Sequence, residues 1–290
     1  MIVDSSYGKS GIRMLQVRRN GDHHSVSEIT VAVGFQGAFD DSYVEGDNSD
    51  VFPTDTMKNT VYALAARDPV GEPEAFGRRL GQHFLEHSRK LHRVRVEISE
   101  HAWRRLRVDG HDAGSAFMRH GSDVRTASVQ TDRRGSTFTA GVGDLLILKS
   151  SHSVFAAYPR PIYTTLPETT DRLLATSLTA TWRYRSSEVE FGVAWETVRQ
   201  VLLDVFATHD SRSVQHTLYA MGQAVLDRVS DVGSITLVMP NKHHLLFDLA
   251  TLGLENRNEI FVPTDEPYGV IEATLVRDVT LGDAPSTGAL

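Results

Sequence analysis

Two stretches of strict alternation limit what this chain can fold into. In residues 26–35, Ile29, Val31, Val33 and Phe35 alternate with Thr30, Ala32 and Gly34. In residues 94–99, Val94, Val96 and Ile98 alternate with Arg95, Glu97 and Ser99. A strand turns successive side chains to opposite faces, so each stretch buries one face and leaves the other polar. An antiparallel sheet covered on one side reads this way, whereas the strands of a fully covered parallel sheet read as unbroken apolar runs.

Helical spacing follows each strand region. Pro73 opens a helix in which Phe76, Leu80, Phe84 and Leu91 recur on one face. A shorter helix is predicted over about 55–66, with Thr54 or Asp55 as its N-cap. Strands are predicted at 12–18, 114–120, 124–131, 136–141 and 145–149, separated by Gly and Asp-Arg turns. Thr165-Leu166-Pro167-Glu168 matches a capping box and predicts a helix to about 177. A strand follows, with Ala180, Trp182 and Tyr184 on one face. Two helices come next, one aligning Trp195, Val198, Leu202 and Val205, the other Val214, Leu218, Met221 and Val225. A strand over 234–239 is expected to end at Pro240, and a last one covers about 269–277.

Each half thus repeats a strand pair, a short helix after a proline, longer helical material and further strands. The expected fold class is α+β, with two tandem halves of antiparallel sheet and helices packed on one face. The regular strand–helix alternation of a parallel βαβ fold is absent. The expected division is 1–140 and 141–278, with 279–290 a loose tail rich in Gly, Pro, Ser and Thr.

Composition narrows the chemistry. The 290 residues are 40% hydrophobic and 23% charged, enough to bury a core. The net charge of −7 argues against a nucleic-acid partner. The chain has no cysteine, which removes disulfides, thiolate catalysis and Cys-held metal centres. No apolar run approaches the ~18 residues of a membrane span. Met1-Ile2-Val3-Asp4-Ser5-Ser6 lacks a basic-then-apolar leader, and Ser286-Thr287-Gly288-Ala289-Leu290 is not a peroxisomal Ser-Lys-Leu address. A cytoplasmic, membrane-free protein is the expectation.

Several tempting motifs fail on spacing. Gly8-Lys9-Ser10 has Val3 where a phosphate loop needs its first glycine. Gly141-Val142-Gly143 lacks the third glycine of a dinucleotide fingerprint and reads as a turn. His83 and His87 stand at i, i+4 on a helix with no third ligand suggested nearby, so a solvated helix face is expected. His23-His24 reads as a loop. Two fragments place proton-handling side chains at the ends of apolar segments: Pro53-Thr54-Asp55-Thr56-Met57-Lys58-Asn59-Thr60 and Met239-Pro240-Asn241-Lys242-His243. His243 can exchange a proton near neutrality or serve as a structural hydrogen-bonding group. Arg172, taken on a helix, would pair with Glu168 at the surface. Phe155 and Gln215 carry no signal by themselves.

Read together, several segments resemble the urate oxidase (uricase) family. They are Tyr7-Gly8-Lys9, Gly46-Asp47-Asn48-Ser49, the Pro53 fragment running on to Val61-Tyr62, Leu148-Lys149-Ser150 with Phe155, and Tyr163-Thr164-Thr165-Leu166. Glu168-Thr169, Asp171-Arg172, Ser213-Val214-Gln215, the Met239 fragment, Asn258-Glu259-Ile260-Phe261 and Asp265-Glu266-Pro267-Tyr268-Gly269 complete the series. The resemblance spans residues 7–277 and is weakest over 100–140. It implies a tunnelling (T-fold) protein that assembles as a homotetramer around a tunnel, with active sites between subunits. It also implies oxidation of urate by O2 and water to 5-hydroxyisourate and hydrogen peroxide, with no metal and no organic cofactor. In that pattern Lys9, Thr54 and His243 form a proton relay. Arg172 and Gln215 grip the purine, Phe155 stacks on it, and the Asp55 and Val214 amides hold its heteroatoms. Asn241 holds O2 or the attacking water. Lys9, Thr54 and Asp55 would come from one subunit, and Phe155, Arg172 and Gln215 from another. Two other readings fit the same fold: another T-fold enzyme acting on a pterin or purine, or a catalytically silent purine-binding tetramer.

Overall fold

A computed structural model describes residues 2–277. β1 (Ser6–Asn20) and β2 (His23–Gly37) form a long hairpin, followed by α1 (Asp40–Val44), α2 (Thr54–Arg67) and α3 (Pro73–His87). β3 (Leu91–Glu100), a small hairpin of β4 (Trp103–Val108) and β5 (His111–Arg119), β6 (Val124–Asp132) and β7 (Gly135–Lys149) come next. Then follow β8 (Leu174–Tyr184), α4 (Phe191–Thr208), α5 (Val214–Arg228), β9 (Val232–Leu246), a 3-10 turn at Leu249–Leu252, and β10 (Phe261–Val276).

By packing, the chain divides into two units. The first runs through Gly143 and takes in Ser186–Gly192; the second holds Asp144–Arg185 and the chain from Val193 onward. In the first, antiparallel strands run in the order β1-β2-β3-β6-β7, and β4–β5 pair separately. In the second, β8-β9-β10 are antiparallel. In the first unit α2 lies on β1 and α3 on β3 and β6, and in the second α5 lies on β9 and β10.

The alternating apolar positions make the cores. Ile29, Val31, Val33 and Phe35 of β2 are buried with Val94, Val96 and Ile98 of β3, under Met57, Val61, Phe76, Leu80 and Phe84 of the helices. In the second unit Leu178, Ala180 and Trp182 of β8 and Ile235, Leu237 and Met239 of β9 are buried with Leu218, Met221 and Val225 of α5. α3 and α5 approach their sheets through glycines. A Cβ at Gly77 would lie 2.7 Å from Val129 Cγ2, and one at Gly222 would lie 2.9 Å from Leu275 Cδ1.

Helix and strand lengths then set where the sheets lie open. α5 ends at Arg228 and β9 starts at Val232, so the two run antiparallel. The 15 residues of α5 rise about 21 Å, a distance a strand covers in about six residues. The start of α5 is therefore level with Val238 or Met239, while β9 continues to Leu246. In the first unit Gln16 Nε2 donates to the Ala65 carbonyl (2.5 Å), Tyr62 Oη to the Arg13 carbonyl (3.2 Å), and the Phe52 amide to Tyr7 Oη (3.0 Å). These contacts run α2 parallel to β1 and set its first turn toward Lys9.

The structure departs from the sequence expectations in several places. β1, β2 and β10 are longer than expected, and α1 and β4 were not foreseen. The strands expected at 136–141 and 145–149 are one strand, β7. Gly141 and Val142 pair with Thr126 and Arg125 rather than turning. β9 also runs through Pro240. Its pairing with β8 skips Met239 and Pro240, because proline has no N–H for the ladder. On the other side Pro240 still faces Val270 of β10. The cap of α2 is Pro53, with no side-chain hydrogen bond, not Thr54 or Asp55. The capping box at Thr165 starts no helix: residues 165–173 are irregular and lead directly into β8. The tail expected over 279–290 lies outside the described residues.

Replacing Gly77 by leucine forces a side chain into Val129 at a close approach of α3 to the sheet. The expected loss is about 1–3 kcal/mol of unfolding free energy, read as a lower urea midpoint with an unchanged slope. An unchanged midpoint contradicts the packing described.

Candidate active site

In the first unit the site begins with an irregularity in β1. Lys9 pairs with Val33 and Ile12 with Val31, so Ser10 and Gly11 face one gap in β2. Gly11 takes φ +69°, which suits the extra residue of a bulge. The bulge keeps Tyr7, Lys9 and Ile12 on the helix-covered face. Gly8 fixes the approach of the strands beside Lys9, since a Cβ there would lie 2.2 Å from the Val33 carbonyl oxygen.

Thr54 and Asp55 are the first two residues of α2 and both are exposed. With proline as the cap, the Thr54 hydroxyl is not consumed in capping, and the first-turn amides have no intrahelical acceptor. Asp55 accepts from Lys58 Nζ (2.5 Å) and Asn59 Nδ2 (2.8 Å). The Lys58 hydrogen bond, then that of Asn59, hold its carboxyl below the usual range, and the charge of Lys9 adds to this. The carboxylate thus faces its own helix, and the Asp55 amide remains as a donor at the helix start.

In the second unit a loop and a helix start are tied together. Phe155 and Thr169 exchange backbone hydrogen bonds of 3.0 Å in both directions. Glu168 accepts from the Ala157 amide (3.0 Å), and Asp171 accepts from the amides of Ser153 (3.2 Å) and Arg172 (3.1 Å). These carboxylates staple the segment into a loop, which is why the predicted helix fails and Arg172 does not form the surface pair with Glu168. The Val154 amide donates to the Ser211 carbonyl (2.7 Å) and the Ser211 amide to the His152 carbonyl (3.0 Å). Two residues later the Ser213 hydroxyl caps α5, accepting from the His216 amide (3.1 Å). Val214 and Gln215 are then the first residues of α5, Val214 buried and Gln215 exposed.

The Arg172 guanidinium lies 4.9 Å from the centroid of the Phe155 ring. Burial lowers its pKa, and its Nε is buried with no hydrogen-bond partner among the described residues. A guanidinium in this setting is a planar donor set for a planar anion. Tyr158 stacks on Phe155 at 4.8 Å and 18°, and its hydroxyl donates to the Leu166 carbonyl (2.6 Å). Neither Tyr158 nor the stapling carboxylates stood out as site residues in the sequence, because their roles depend on the loop.

Asn241 and His243 lie on β9, in step with Ile235, Leu237 and Met239 and hence on the same helix-covered face. Both stand beyond the level of the α5 start. Opposite them β10 leaves the ladder between Thr264 and Gly269. The first unit therefore places Lys9 by Thr54 and Asp55. The second brings Phe155, Arg172 and the start of α5 together and sets Asn241 and His243 past that helix end. His83 and His87 stack at 4.2 Å, with His87 Nδ1 2.6 Å from the His83 carbonyl. No group of three metal-ligating side chains occurs among the described residues, and no helix there is long and apolar enough to cross a membrane.

One-sided antiparallel sheets with helices packed over them are the architecture of a T-fold protein. The uricase family model matches residues 5–130 and 138–272. A uricase of Arthrobacter globiformis is 41% identical over 285 residues, covering 98% of this chain and 93% of that protein. One of Dictyostelium discoideum is 37% identical, covering 95% and 97%. The crystal structure of the Arthrobacter globiformis uricase superposes with a TM-score of 0.92, covering 98% of each chain. That of a uricase from Bacillus fastidious does so at 0.82 with 25% identity, covering 94% of each. The chain belongs to the uricase family.

A histidine pair backs the α5 start. His216 Nδ1 accepts from His209 Nε2 (3.1 Å) and from the Arg212 amide (3.4 Å), which assigns its proton to Nε2. Lys149 Nζ donates to the His209 carbonyl (2.6 Å). Burial first, then His216 and Lys149, lower the His209 pKa, against a raising effect of Asp210. A histidine with a lowered folded pKa binds fewer protons when folded, so its stability is present above about 6.5 and is lost as pH falls through the folded value. Stability is expected to drop from pH about 7.5 to about 5.5, and His209→Gln, which keeps a donor without titrating, should flatten that drop. Melting curves across this range check it, and an unchanged pH slope contradicts the pairing.

Proposed function

We propose that this chain, as a uricase, oxidises urate by means of a Lys9–Thr54–His243 proton relay and a grip formed by Arg172, Gln215 and Phe155. Urate gives up two electrons and takes a hydroxyl from water at a ring carbon, yielding 5-hydroxyisourate. O2 takes the two electrons and two protons and leaves as hydrogen peroxide. The observation that carries this reading is the half-buried Arg172 guanidinium, its Nε buried and without a hydrogen-bond partner among the described residues, over the Phe155 ring. That arrangement fits the edge and the face of an anionic purine at once.

The remaining roles follow from position. The amides of Asp55 and Val214, each at a helix start, donate to the purine heteroatoms. Lys9 activates the Thr54 hydroxyl to remove a proton from urate, and His243 extends the path. A urate dianion is electron-rich enough to reduce O2 directly, so the protein positions, deprotonates and shields it, with no metal or organic cofactor. Asn241 holds O2 or the attacking water over the ring. Lys9, Thr54 and Asp55 belong to the first unit and the gripping residues to the second. In the assembly we propose, a homotetramer, each active site takes these two sets from different subunits.

Chelator-treated protein in air should bleach the ultraviolet absorbance of urate and form peroxide in step, and should do neither under argon. Activity that requires an added metal would contradict the cofactor-free reading. Lys9→Met and Thr54→Ala should each lower turnover by about 100- to 10,000-fold while a non-reacting purine analogue still binds. Wild-type turnover in both variants would remove the relay assignment.

A further inference from the structure

One polar group in the second unit lacks a role in the scheme above. Thr176 of β8 is fully buried, and its hydroxyl has no hydrogen-bond partner among the described residues. It stands in step with Leu174, Leu178, Ala180 and Trp182, on the helix-covered face. A valine would fill the same volume there without burying an unpaired hydroxyl. In the sheet Thr176 is directly opposite Asn241. The other cross-strand neighbour of Asn241 is Gly269, which has no side chain. The Thr176 hydroxyl is thus the side-chain polar group that the sheet sets abreast of the Asn241 carboxamide.

We propose that Thr176 is a positioning residue for the oxidation, holding the Asn241 carboxamide with its NH2 turned toward O2 or the attacking water. This rests on the reading of Asn241 given above. Cβ atoms of directly opposed residues lie about 4.5–5.5 Å apart, within reach of a hydroxyl and a carboxamide after a small rotation. The terminal torsion of asparagine is soft, so a free carboxamide presents oxygen or nitrogen almost equally. A hydroxyl donated to Asn241 Oδ1 removes that choice, because the carboxamide oxygen is then engaged and both N–H groups face the site. With the site filled, Thr176 also gains the partner it lacks.

The test is a double-mutant cycle on the full chain in its native assembly. Thr176→Val, Thr176→Ser, Asn241→Ala and Thr176→Val with Asn241→Ala are compared at varied urate and varied O2, and their melting points are recorded. Thr176→Val is expected to lower kcat about tenfold, with the urate KM within about twofold and an equal or higher melting point. Thr176→Ser should restore most of the loss. In the Asn241→Ala background Thr176→Val should change nothing further. A wild-type kcat for Thr176→Val overturns the proposal, and so does an equal loss in both backgrounds, since Thr176 would then act without Asn241. A wild-type kcat for Asn241→Ala instead overturns the role of Asn241, and the proposal with it. Thr176→Ala carries the same comparison if the valine variant does not fold.

Discussion

A helix advances about 1.5 Å per residue and a strand about 3.3 Å. A helix of ordinary length therefore cannot cover a strand of equal residue count, and the candidate site depends on that difference. β9 has 15 residues, as does α5, so the strand outruns the helix by several positions. The uncovered residues keep the inward facing of the core but have no helix over them. Apolar side chains give way there to Asn241 and His243. The same geometry sets the start of α2 toward Lys9. Each helix start also supplies backbone donors that no residue of the helix can accept.

The second physical element is the charge held by the loop before β8. A guanidinium taken partly out of water is costly unless it is matched. Here the nearby acids are engaged elsewhere: Glu168 with the Ala157 amide and Asp171 with the Ser153 and Arg172 amides. The acids shape the loop and leave Arg172 over the Phe155 ring with no carboxylate paired to it among the described residues. Such a group is prepared for an anion delivered from solution, which is the physical content of the proposed purine grip. The cap at Ser213 and the bridges from Ser153 and Val154 to Ser211 hold the α5 start in register with that loop.

Much of the fold could be read from periodicity. The alternation in β2 and β3 and the helical stripes in α3, α4 and α5 correspond to buried faces, since burial is what selects such patterns. The failures have local causes. The capping-box pattern at Thr165 was overridden when Glu168 and Asp171 found backbone donors in residues 153–157. Pro240 did not end its strand because the missing N–H could be absorbed as a gap in the β8 ladder. For the proposed site, the residues at helix starts and strand ends were singled out as matches to family motifs. Thr176 and Tyr158 were not, because a threonine inside a strand or a tyrosine in a loop has no distinguishing spacing. Their significance comes only from what lies opposite or beneath them.

The central claim is that Lys9 and Thr54 of one copy work with Arg172 and Phe155 of another. Mixing two disabled variants tests it most directly. Lys9→Met and Arg172→Ala are each purified, dissociated together, reassembled and assayed for urate oxidation. Random mixing of two subunit types gives about a quarter of shared sites both intact contributions. Recovery to about that fraction of wild-type activity, absent when either variant is reassembled alone, is the predicted result. No recovery from a mixture that has demonstrably exchanged subunits would contradict the account.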